Sequence, residues 1–286
     1  MSAGGGRSEG APTKRRDNRT VRKVRYTRWT WTISLLIVAV TAGALAGPIS
    51  YGTSAVVLGV AGGVLLASLF AFAREGHPLP NAITALRGAA AVVLLLWSAT
   101  GETGASADGS GTFRGVASAL AAPRGNGEAL LPTATLWTLF LVLALVEVSD
   151  FFDGRSARRF GTTGFGAVWD MENDAFFTFA LSFTVWGFLG FPPFVLAIGL
   201  MRYLYFLIVR VQGDPPVHPA AYKLFAKSVA AILVVALIGA FVPVVPVKVR
   251  TVVLATALAL QLISFGWDLV LHRRSRNGRE GVVHGG

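Results

Sequence analysis

The chain has 286 residues, of which 53% are hydrophobic and only 14% charged, and its formal net charge is +11. A soluble domain carries about 25% charged residues, so the composition excludes an ordinary soluble protein and points to a polytopic membrane protein. The chain contains no cysteine, which excludes disulfides, thiolate nucleophiles and Cys-ligated zinc.

Residues 1–28 are rich in Gly, Arg and Ser and lack periodicity. They carry nine Lys/Arg against Glu9 and Asp17, and the expectation is a disordered, basic cytoplasmic tail. The basic excess sits at the two ends of the chain. It reads as topology signals and contacts to anionic headgroups, not as a nucleic-acid surface.

Eight apolar stretches follow, at about 31–46, 54–73, 82–99, 133–149, 172–190, 192–209, 224–243 and 250–271. A spanning helix needs roughly 20 apolar residues, and most of these qualify. The first is short, and its basic start and Ala44-Leu45-Ala46 also fit a signal peptide. The expected fold class is all-α, as a polytopic membrane protein. With both termini inside, the cytoplasmic loops carry Arg74, then Arg155, Arg158 and Arg159, then Arg210 and Lys223, then Arg273, Arg274, Arg276 and Arg279. Lys248 and Arg250 are the exceptions, on a short outer loop. The long outer loop 100–132 is rich in Gly, Ser and Ala.

Four aspartates interrupt this apolar chain: Asp150, Asp153, Asp170 and Asp174. A carboxylate next to lipid is costly without a counter-charge. On a helix over 147–159, Asp150, Asp153, Gly154 and Ala157 fall within about 100° of one another, with Arg158 at the edge of that face. The small residues let a bulky ligand approach the backbone. On a second helix, Gly166, Asp170 and Asp174 recur every four residues. Between them lies the turn Phe160–Phe165, with Gly161, Thr162, Thr163 and Gly164. Two antiparallel helices then present carboxylate pairs to one cleft. Like charges about 6 Å apart repel by roughly 3 kcal/mol at an effective dielectric near 20, so hard divalent cations are expected. Mg²⁺ or Mn²⁺ suits a site of carboxylate, phosphate and water oxygens; two ions suit phosphoryl transfer.

This segment resembles the signature of the CDP-alcohol phosphotransferase (phosphatidyltransferase) family, D-x2-D-G-x2-A-R-x8-G-x3-D-x3-D. Asp150, Asp153, Gly154, Ala157, Arg158, Gly166, Asp170 and Asp174 match its fixed positions, with seven residues instead of eight between Arg158 and Gly166. A weaker likeness lies upstream. Pro80-Asn81-Ala82-Ile83-Thr84-Ala85-Leu86-Arg87 resembles the P-N-x2-T-x2-R that opens the first core helix in many members. Its alternative reading is a helix start, with Asn81 as N-cap and Arg87 as a snorkelling anchor.

The resemblance implies a six-helix catalytic membrane domain over 76–272. It is preceded by two accessory transmembrane helices in 29–75 and followed by a basic cytoplasmic tail, 273–286. It implies a homodimer in the cell membrane with its site open to the cytoplasm. The donor would be CDP-diacylglycerol or a similar CDP-linked lipid, and the acceptor a small alcohol. Asp150, Asp153 and Asp170 would hold one metal ion and Asp150, Asp170 and Asp174 a second, with Asp174 also the general base. Gly154, Ala157, Arg158, Thr163 and Gly166 would meet the nucleotide, and Asn81 and Thr84 would close the cytidine pocket.

Arg202, inside an apolar helix, is a functional candidate. With Arg210, Lys223 and Lys227 it could bind a phosphorylated alcohol such as glycerol 3-phosphate; Arg210 and Lys223 also read as plain topology signals. Glu147, one turn before Asp150, reads either as a partner of the metal ligands or as a protonated carboxyl among helices. His77, His218, His272 and His284 receive no chemistry. Two other function classes compete: a cation transporter built on intramembrane carboxylates, and an inactive, lipid-binding homologue, for which the short loop is the one supporting feature.

Overall fold

The computed structural model describes residues 32–47, 49–73, 78–100, 133–160, 164–212 and 219–283. Side chains are described over 32–47, 49–67, 84–99, 133–149, 169–208, 219–271 and at Arg273. The expectations for the 1–28 tail and the 100–132 loop lie outside these residues. Among the described residues there are eight helices and no strand. They are α1 (Thr32–Ala46), α2 (Tyr51–Ala73), α3 (Pro78–Thr100), α4 (Thr133–Phe160), α5 (Gly164–Gly187), α6 (Phe194–Gln212), α7 (Ala220–Gly239) and α8 (Val247–Val283). Each expected apolar stretch coincides with one helix. Two described segments, Ala220–Gly239 and Val247–Leu271, are long and apolar enough to cross a membrane.

Local chemistry sets the ends. Gly47 takes φ 87°, a conformation that a side chain would strain. Ser50 then accepts the Thr53 N–H at 3.0 Å and opens α2 as a hydroxyl cap. Helix α5 closes with Gly190 at φ 73°, and the Phe191 N–H returns to the Val185 carbonyl at 3.2 Å. That return spans six positions, and glycine stands where the chain turns left-handed. Pro192 and Pro193 keep α5 from continuing. Pro246 stands immediately before α8, and its carbonyl accepts the Val249 and Arg250 N–H groups.

Helix α5 is the packing centre. It touches α2, α3, α6 and α7. Its run Phe176, Phe177, Phe179, Ala180, Leu181, Phe183 and Val185 is fully buried. Small residues on neighbouring helices make room for the rings. A β-carbon at Gly62 of α2 would fall inside the Phe176 ring, and one at Gly199 of α6 would lie 2.6 Å from the Phe179 Cα. Tyr51 of α2 stacks on Phe183 at 5.1 Å. Its hydroxyl donates to Ser98 of α3 at 2.9 Å. Helix α2 thus packs directly on α5, one of the two helices that carry the aspartate motif.

The far end of the bundle is pinned by one arginine. Arg250, in the first turn of α8, donates to the Ala240 carbonyl at 2.6 Å, at the end of α7. Its guanidinium also lies 5.6 Å from the Phe191 ring centre, in the α5–α6 link. A cation at a helix C-terminus meets the negative end of its dipole. Arg250, an exception in the charge pattern, therefore has a local structural partner. The α5–α6 and α7–α8 links share this end, so the α4–α5 link lies at the other. The basic residues 273–279 do not leave the helix as a separate tail, because α8 continues to Val283.

Candidate active site around the α5 aspartates

Helix α3 opens on Pro78-Leu79-Pro80. Proline fits a first turn, where its missing N–H has no partner to lose. Asn81 is therefore the fourth residue of α3 and not its N-cap. One to two turns further, Thr84 and Arg87 are spaced three apart and share a face. On α5, Asp170 and Asp174 are spaced four apart and share a face as well. The two pairs meet. The Thr84 hydroxyl donates to Asp170 Oδ1 at 3.4 Å, and Arg87 Nη1 forms an ion pair with Asp174 Oδ1.

The second nitrogen of Arg87 reaches a third helix. Nη2 donates to Glu147 Oε2 of α4 at 2.8 Å. The guanidinium also lies 5.6 Å from the centre of the Phe177 ring, within cation–π range. Arg87 is only 6% exposed in its side chain, Glu147 25% and Asp174 50%. This buried cation, held between two carboxylates, is not the snorkelling anchor of the alternative sequence reading. Glu147 meets Arg87 from α4.

Just beyond Arg87 the helices come very close. A β-carbon at Gly88 would strike Asn173 Oδ1. Asn173 is fully buried, and its amide donates back to the Trp169 carbonyl at 3.0 Å. Glycine at 88 is what lets Thr84 and Arg87 approach the aspartates.

One guanidinium touching Glu147 and Asp174 also sets the α4–α5 arrangement. These residues lie thirteen and ten positions either side of the 161–163 link. Were the helices collinear, they would stand about 35 Å or more apart at 1.5 Å per residue. The helices must fold back as a hairpin. Asp150 is one turn from Glu147 toward the link, and Asp170 one turn from Asp174 in the same direction. Along α4, Asp150 lies one turn and Asp153 nearly two turns beyond Glu147 toward the link.

Within the catalytic motif, Asp150, Asp153, Gly154, Ala157 and Arg158 lie on α4 and Gly166 on α5, but their side chains lie outside the described residues. Thr163 lies outside them altogether. The side chains of Asn81 and Arg210 are likewise undescribed. Among the described side chains, no group of three metal-ligating residues forms. Asp170 and Asp174 are both exposed. They offer only oxygen donors, and Asp174 is paired with the Arg87 guanidinium. This donor chemistry fits a hard divalent cation.

On the opposite side of α5 lies a second ion pair. Glu172, almost fully buried, pairs with Arg202 of α6 at 3.3 Å. At 100° per residue, Glu172 points about 160° away from Asp170 and Asp174. Arg202 thus meets a carboxylate on the face turned from the aspartate pair. Lys223 and Lys227 are exposed near the start of α7. Glu172 was not singled out from the sequence, although its helical angle and the need of Arg202 for a counter-charge both signalled it. Asp268, buried on α8, was missed too; an acid inside an apolar stretch was the available signal.

The family model for CDP-alcohol phosphatidyltransferase matches residues 77–263. The chain belongs to the CDP-alcohol phosphatidyltransferase family. No curated protein and no solved structure matches it. The matched region starts at the opening of α3 and runs into α8, so it contains all the residues that meet around Arg87. As a CDP-alcohol phosphatidyltransferase, the protein belongs to a family of transferases that move a phosphatidyl group from a CDP-alcohol donor to an alcohol acceptor. The resemblance in the aspartate motif and this match cover the same helices.

Proposed function

We propose that the protein transfers a phosphatidyl group from CDP-diacylglycerol to the hydroxyl of a small alcohol or phosphorylated alcohol, releasing CMP, in phospholipid biosynthesis. One observation supports the reading: Thr84 and Arg87 meet Asp170 and Asp174, and Arg87 also meets Glu147 on α4, the helix whose sequence bears Asp150 and Asp153. These four aspartates would hold Mg²⁺ or Mn²⁺, in two ions. When bound, the metal neutralises the donor pyrophosphate and stabilises CMP as leaving group.

Asp174 takes the proton of the acceptor hydroxyl. Half-exposed at the end of a hairpin face, it is open to an incoming alcohol. The acceptor oxygen bonds to the lipid-side phosphorus, the bond from that phosphorus to the CMP oxygen breaks, and CMP leaves with the electron pair. Gly154, Ala157 and Gly166 leave room for the nucleotide, while Asn81, Arg158 and Thr163 donate to it. Thr84 acts through Asp170, whose carboxylate it already meets. Arg210, Lys223 and Lys227 would bind an acceptor phosphate.

The bundle sits in the cell membrane as six catalytic helices, α3 to α8, with α1 and α2 as an N-terminal addition. Supporting this is an inverted distribution of polarity. Val60, Val93, Leu145, Val235, Val252 and Ile263 are more than half exposed, whereas Arg87, Glu172, Asn173 and Asp268 are buried. Water would disfavour that surface; lipid does not. By the charge rule, the arginines of 155–159, Arg210, Lys223 and the arginines of 273–279 would set the aspartate end toward the cytoplasm, with both termini inside. A second copy completes the homodimer.

The test is direct. Purified protein in lipid nanodiscs is given CDP-diacylglycerol, Mg²⁺ and a panel of alcohols that includes glycerol 3-phosphate and an inositol phosphate. CMP release that requires both the metal and one acceptor is expected. No CMP release with any acceptor overturns the proposal.

A further inference from the structure

The neighbours of Arg87 include two carboxylates and a ring that together define an unusual position: Asp174 from α5, Glu147 from α4 and Phe177. Two carboxylates share one guanidinium, and one of the two belongs to the proposed metal-binding set. The cation is buried, while Asp174 is half exposed. Breaking the Asp174 contact would therefore not strand Arg87, because Glu147 and the aromatic face remain. Stranding a buried charge is the step that usually makes such pairs permanent. Here the alternative partner is already in place.

We propose that Arg87 is an internal counter-cation for the aspartate pair, which occupies Asp174 when metal is absent and yields it to a divalent ion by retreating onto Glu147. The inference rests on the metal-binding reading of Asp170 and Asp174 given above. Arg87 serves as a positioning residue: it keeps the carboxylates of a metal-free site from repelling one another and holds Asp174 in register with α3. Glu147 sets how readily the exchange occurs. With Glu147 charged, Arg87 has somewhere to go; with Glu147 neutral, more of the positive charge rests on Asp174 and opposes an incoming divalent cation.

Two substitutions therefore act in opposite directions on metal affinity. Arg87→Gln removes the competitor, so Mn²⁺ binds about tenfold more tightly. Glu147→Gln strengthens the competitor, so Mn²⁺ binds about tenfold more weakly, the scale expected for one unit charge at this range in a partly screened site. A merely structural Arg87 would give the opposite sign, because a loosened α3–α5 contact weakens binding.

The experiment titrates the purified, full-length protein in nanodiscs with Mn²⁺ and follows the free-ion signal by electron paramagnetic resonance. Asp174→Asn serves as control. Melting temperature is read in chelator and in Mn²⁺, since a ligand that binds the folded state raises it by mass action. The upshift on adding Mn²⁺ should be largest for Arg87→Gln and smallest for Glu147→Gln. If wild type binds Mn²⁺ and Asp174→Asn weakens it, but Arg87→Gln binds no more tightly, the counter-cation role is wrong and the metal reading stands. If wild type binds no Mn²⁺, the metal reading itself fails and takes the role with it. Should Arg87→Gln not fold, Glu147→Gln decides: weaker Mn²⁺ binding with an unchanged melting temperature in chelator supports the role, and any other outcome overturns it.

Discussion

The two faces of α5 carry two ion pairs built from the same chemical groups and set up for different work. On the α6 side, Arg202 has one carboxylate, Glu172, which is only 3% exposed. On the α3 side, Arg87 has two, and the one it shares with the aspartate motif is half open to solvent. A deep single partner makes a brace, because separating it leaves a charge in an apolar medium. A spare partner and an accessible carboxylate make a contact that can exchange. The residue type does not distinguish these roles; the number and exposure of the neighbours does.

The contrast can be broken at several points. The largest effect is expected from Asp174→Asn on the open face. Removing a general base costs about 10²–10⁴ in rate, so CMP release at saturating metal and donor should fall by about a thousandfold. Full activity in this variant would remove Asp174 from the chemistry. On the closed face, Glu172→Ala should lower stability by about 2–3 kcal/mol, reduced from the usual cost of a fully buried pair because Arg202 retains some exposure. The double variant Glu172→Leu with Arg202→Leu should recover most of it in a melting assay. Mn²⁺ affinity should stay within about twofold throughout; a large change would mean that the two faces are not independent.

A smaller effect is expected from Gly88→Ala, which pushes a methyl group against Asn173 Oδ1. Overpacking of this kind costs about 1–3 kcal/mol. It should also lower CMP release, because the α3–α5 approach that brings Thr84 to Asp170 is widened. Unchanged activity would show that this register tolerates slack. The smallest effect is at the far end of the bundle. Arg250→Gln removes the guanidinium contact to the α7 terminus, worth about 1 kcal/mol. Turnover of the variant should match wild type once melting is corrected for.

Much of this arrangement was open to reading before any coordinates. Eight apolar runs became eight helices, because a backbone in an apolar setting must satisfy its own hydrogen bonds and a helix does so within one segment. The four-residue recurrence of Gly166, Asp170 and Asp174 follows from the helical repeat alone. Arg87 was harder. Its position on α3 was plain, yet whether it reached water or turned inward depended on helices sixty and eighty-seven residues away. Glu172 was obscured by its neighbours, since three acids in five residues invite reading as one cluster when the helix divides them between two faces.

Local pattern thus determined the helices, the turn residues Gly47 and Gly190 and the acidic spacing, because each depends on interactions within a few residues. Only the packed bundle decided which charge meets which: that Arg87 joins α3, α4 and α5, that Glu172 belongs to Arg202, and that Arg250 closes the far end. Those pairings depend on distances between segments far apart in the chain, and a helical repeat says which way a side chain points without saying what it finds there.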